Sequence, residues 1–220
     1  MIESWPTDLG PIYRETQMGR WPVEPWNTWS TLPFLFISLY WLWKIRHHLK
    51  KNKLIFITSS LTTVGFIGGF IYHSTRSHMF WLFLDWLPII IIANITSFSL
   101  WRKTSKHLGT AIIGAYVPLL CSLPLYLSNR FQSIFASSLG YLAMAFTVVI
   151  PMVRWVHKTK YQHILWLGLA GFSLSSAVFL RTFDKHPVMD IFPAGTHFLW
   201  HLLGAMTLHF MTKYIYKTYQ

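Results

Sequence analysis

The 220 residues are 53% hydrophobic and 18% aromatic, only 12% are charged, and the formal net charge is +12. Such a composition excludes an ordinary soluble domain, and the single cysteine, Cys121, excludes an internal disulfide framework or a multi-cysteine metal site. The positive charge lies in short tracts between apolar runs, which argues against a nucleic-acid surface and for the loops of a membrane protein.

Residues 1–26 form a polar, acidic, proline-containing segment without the basic start and apolar core of a signal peptide. The apolar runs that follow predict seven spanning helices near Asn27–Trp43, Leu54–Tyr72, Met79–Trp101, Leu108–Leu127, Ser133–Val153, Ile164–Leu180 and Thr196–Tyr214. The connections are short, so sequence neighbours are expected to be bundle neighbours in one all-α, polytopic domain covering residues 1–220. Basic residues concentrate in the Lys44–Lys53 connection, at Arg102, Lys103 and Lys106, at Arg154, Lys158 and Lys160, and in the tail at Lys213 and Lys217. Alternate connections carry them, so they predict one cytoplasmic face, with the N-terminus outside and the C-terminus inside. Six of the seven acids, Glu3, Asp8, Glu15, Glu24, Asp184 and Asp190, fall on the opposite side, which hints at an outer face that handles cations. Tryptophans are expected in interfacial belts, with Trp26, Trp29 and Trp81 outside and Trp41, Trp43, Trp101 and Trp155 inside.

The seventh acid, Asp85, lies about two turns, roughly 9 Å, into the third span. An ionisable group at that depth faces the bundle interior and has a partner. Either it is functional or it is a structural carboxylate paired with a buried cation such as Arg76. Pro88 is expected to kink the helix beside it and to free the carbonyl of Leu84. Gly65, Gly69 and His73 share one face of the second span, and small residues at that spacing let helices approach closely. His197 and His201, four apart, share a face at the start of the last span. His73, Asp85, His197 and His201 thus fall in one layer near the outer surface. Three neutral imidazoles with an open position suit a catalytic zinc, and a nearby carboxylate suits a general base. His78 is a candidate neighbour of that layer, and His209 is expected in polar packing deeper in the bundle.

The stretches Glu24-Pro25-Trp26-Asn27-Thr28-Trp29-Ser30, Tyr72-His73-Ser74-Thr75, Asp85-Trp86-Leu87-Pro88 and His197-Phe198-Leu199-Trp200-His201 resemble, in order and helix placement, the alkaline ceramidases of the CREST superfamily. These are seven-helix membrane hydrolases, grouped with adiponectin-receptor-like proteins. The resemblance implies zinc held by His73, His197 and His201, with Asp85 near the metal's water, and hydrolysis of the amide of a ceramide-like lipid. It also implies a calcium site near the N-terminus, where Glu24 matches one acidic position and Glu15 supplies a second. The chain departs from the family at Gly69, where a serine is usual, at Trp86, where an acid is common, in the twelve-residue spacing from His73 to Asp85, and in sparser N-terminal acids. A related hydrolase of another lipid class, a receptor or sensor braced by a structural zinc, and a haem-binding protein are the competing readings.

Overall fold

In the computed structural model, residues 8, 10–127 and 134–219 are described, and they form an all-helical protein. Glu3 and the expected helix start at Ser133 lie outside the described residues. Its helices are α1 (Pro25–Ser30), α2 (Leu32–Ile45), α3 (Lys53–Thr75), α4 (Met79–Thr104), α5 (Leu108–Leu127), α6 (Ile134–Lys158), α7 (Ile164–Thr182) and α8 (His197–Thr218). Each expected span from the second to the seventh corresponds to one helix. The first is two helices, because Pro33 in the opening turn of α2 has no N–H to offer the carbonyl of Trp29, and the ladder breaks at Thr31. Among the described residues, three helices, α3, α4 and α7, are long and apolar enough to cross a membrane.

Packing runs α2 on α3, α3 on α4, α4 on α6, α6 on α7, α7 on α8 and α8 back on α2, a closed ring of six. Helix α5 lies outside the ring against α4 and α6, and α1 packs on α3 and α8 at one end. The basic tracts gather at the other end, where Lys158 donates to the carbonyl of Lys103 and Lys44 approaches the Tyr216 ring. That end is closed by a core of Trp41, Ile45, Leu100, Trp155, Tyr214 and their neighbours. Trp41 and Trp155, expected in an interfacial belt, are only 2% and 7% exposed and belong to this core, whereas Trp26, Trp29 and Trp43 are exposed. Between this core and the α1 end lies a cavity of about 440 Å³, lined by all six ring helices and almost wholly apolar.

Glycine brings α3 and α4 together. A Cβ on Gly68 would strike the backbone of Leu84 and Asp85, and one on Gly65 would touch Pro88. Helix α4 runs on without a break through Pro88, whose ring packs into the space beside Gly65. Arg76 caps α3 in the left-handed conformation, φ 48°, and the turn into α4 takes only residues 76–78. His78, expected near the histidine layer, instead accepts the Phe80 amide as the N-cap of α4 and is exposed.

Candidate metal centre

His73 lies in the last turn of α3, and His197 and His201 open α8. All three are buried, and one nitrogen of each falls within 4.8 Å of the other two. The start of α8 is set by Asp184, whose Oδ1 accepts the amides of Thr196 and His197 at the helix N-terminus. Gly195 makes that approach possible: its φ is +77°, and a side chain there would strike the same oxygen.

The second nitrogens show how each ring is held. Nδ1 of His73 donates to Oε2 of Glu24 at 2.5 Å, which leaves Nε2 buried with no hydrogen-bond partner. Nδ1 of His201 meets the carbonyl of Asn27 at 3.1 Å and Oγ of Ser30 at 2.8 Å. A carbonyl only accepts, so Nδ1 carries the proton and Nε2 a lone pair. His197 differs. Nη1 of Arg181 lies 3.3 Å from its Nδ1, and a guanidinium only donates. The ring is an acceptor there, and that contact has to be exchanged before Nδ1 can carry a proton behind a metal on Nε2. The Tyr13 ring stacks on His197 with centroids 3.8 Å apart and covers the triad from the α1 end.

Asp85 and His201 both line the cavity. A Cβ on Gly69 would meet Oδ1 of Asp85, so the carboxylate sits over α3 one turn, roughly 6 Å, before His73. Arg76, the cation expected as a structural partner of Asp85, does not pair with it. Arg76 pairs with Asp8 and Glu24.

Glu15 and Glu24, the two candidate calcium acids, meet different partners. The oxygens of Glu15 accept the amides of Trp26 and Asn27. Burial raises the Glu15 pKa, with those amides pulling the other way. Glu24 is engaged by His73, Asn27, Arg76 and Thr16. Burial alone would raise its pKa; the His73 hydrogen bond and charge, the Arg76 charge and the Thr16 hydroxyl outweigh that and lower it to about 2. Burial likewise opposes the charge on Arg76, and Asp8 and Glu24 reverse that and hold the guanidinium charged.

The donor set fits a divalent metal, because three imidazole nitrogens converge and one of them is buried without a hydrogen-bond partner.

Arg181 and Tyr13 were not singled out from sequence, and Asp184 and Ser30 were named there without a role at the histidines. Arg181 carried a signal, being a cation in the last turn of an apolar run. Compared with models of known families and with curated proteins, the chain matches none.

Proposed function

We propose that the chain is a zinc-dependent membrane amidase of ceramidase type, acting on a lipid whose acyl chain occupies the central cavity. The observation that carries this reading is the convergence of three buried imidazoles, one of which, His201, lines an apolar cavity of about 440 Å³ with the Asp85 carboxylate in its wall. That volume lies within the range of about 300–1,000 Å³ usual for small-molecule sites. The seven expected spans, with the N-terminus outside and the triad on the extracytoplasmic side, accompany it. The gathering of basic tracts at the end remote from the triad supports that orientation.

His73, His197 and His201 would hold the ion. A zinc ion held there would supply a Lewis acid for the scissile carbonyl and would lower the pKa of its water to about 7. The protein's own groups do the rest. The cavity holds the acyl chain and keeps bulk water out. Asp85 orients the attacking water, accepts its proton and returns it to the leaving amine. Glu24, Asn27 and Ser30 keep the imidazoles aimed. Gly69 offers no hydroxyl to the scissile carbonyl, and Asp85 fills the space above it. This favours a substrate class broader than ceramide, and other acylated amines belong in the assay.

The test is metal quantification and a fatty-acid-release screen across lipid classes on one sample. One equivalent of zinc, lost in His201→Ala, together with release from an N-acyl lipid, is expected. Zinc without release from any lipid would leave a braced receptor as the better account. Less than half an equivalent of zinc in the wild type would overturn the metal centre itself.

A further inference from the structure

The resemblance implies a calcium ion near the N-terminus, and the oxygens available for one are already filled by a side chain. Nε and Nη2 of Arg76 donate to Oδ2 and Oδ1 of Asp8 at 2.7 and 2.8 Å. Nη1 donates to Oε1 of Glu24 at 2.6 Å and to the carbonyl of Pro11 at 3.1 Å. The carbonyl of Gly10 lies 3.4 Å from Nη2. A guanidinium has five N–H donors, and here five oxygens receive them. Two carboxylates and two backbone carbonyls are hard oxygen ligands of the kind calcium takes. Arg76 is 2% exposed, and its guanidinium lies over the Tyr72 ring at 4.7 Å.

We propose that Arg76 is this protein's built-in cation, occupying the oxygen set that a calcium ion would use and making the histidine centre independent of calcium. The position of Arg76 explains how it acts. It follows α3 directly, two residues after the carbonyl of Ser74 that receives the Val23 amide. The Glu24 amide bonds the carbonyl of His73 beside it. The guanidinium therefore neutralises Asp8 and Glu24 and fastens the segment before α1 to the end of α3, and this leaves Oε2 of Glu24 to hold His73. A lysine could not do the same, because one ammonium has three donors and no planar fork for the Asp8 carboxylate. The inference does not depend on the hydrolase reading, since no step of it involves turnover.

The experiment compares wild type and Arg76→Ala as full chains in detergent, with zinc held constant, in calcium-depleted buffer and after addition of millimolar calcium. Melting temperature and calcium uptake by equilibrium dialysis are the readouts. Wild type should take up no calcium and melt at the same temperature in both buffers. Arg76→Ala should melt lower without calcium and recover on adding calcium, but not on adding an equal ionic strength of sodium chloride. Stoichiometric calcium uptake by wild type overturns the proposal. So does an Arg76→Ala variant as stable as wild type, or one destabilised with no response to calcium. If the variant does not accumulate, the two wild-type measurements decide the question.

Discussion

Gly68→Ala is the substitution through which the geometry speaks most directly. The added methyl would lie 2.5 Å from Cβ of Leu84 and 2.7 Å from the Asp85 amide, and against the Leu84 carbonyl carbon, where ordinary contact begins at 3.4 Å. The obstruction is backbone, so no rotamer relieves it, and α4 has to retreat from α3 by about 1 Å, the difference between those distances. Overpacking of this kind costs about 1–3 kcal/mol, and for a chain of this size that lowers the melting temperature by roughly 2–12 °C. The same retreat carries Asp85 away from His73. A displacement of about 1 Å at a reacting group costs on the order of 10² in rate. All three histidines lie on α3 and α8, so zinc content should hold. Melting, zinc content and fatty-acid release measured on Gly68→Ala and Gly69→Ser separate two effects. At position 69 the obstruction is the tip of the Asp85 side chain, which can swing aside, so Gly69→Ser should cost less stability and change mainly the rate. If Gly68→Ala melts and turns over like wild type, the close approach of α3 and α4 does not place Asp85, and the reasoning fails.

Asp85→Asn should keep its zinc and lose about 10²–10⁴ in kcat, the usual contribution of a general base; an unchanged rate in the lipid assay removes Asp85 from the chemistry. Glu24→Gln weakens the hold on His73 and should lower zinc affinity about 10–100-fold in a chelator competition, whereas unaltered affinity would mean that the ring is positioned by packing alone. Arg181→Met removes a donor that competes for the acceptor state of His197, so zinc should bind more tightly by about 3-fold or more, a change of at least roughly 0.6 kcal/mol. Weaker binding in that variant would make Arg181 a support for the centre and not a competitor.

Much of the site was legible because it obeys helical spacing. Gly65 and Gly69 lie on the face of α3 that α4 covers, and His73, four residues further on, is buried beside the other two histidines. His197 and His201 stand one turn apart and both point inward. The break at Thr31 was also readable, since Pro33 lies within the first expected span. What could not be read is long-range and irregular. Tyr13 reaches His197, and Asp8 reaches Arg76, from a segment with no period to follow. Arg76 looked available to Asp85 because both flank the same turn. Its left-handed backbone sends the guanidinium towards Asp8 and Glu24 instead. Trp41 and Trp155 were misplaced because belt and core tryptophans look alike in a sequence, and only the burial of their neighbours distinguishes them.

The contact between Ser30 and His201 spans 171 positions, and the Arg14–Asp190 pair spans 176. A ribosome finishes the first partner of each long before it makes the second. Throughout that interval Glu24, Asn27 and Ser30 exist without His197 and His201, so the candidate metal centre closes only when α8 joins the ring. A chain halted before α8 would carry most of its hydrophobic bulk and none of its capacity to coordinate through that helix.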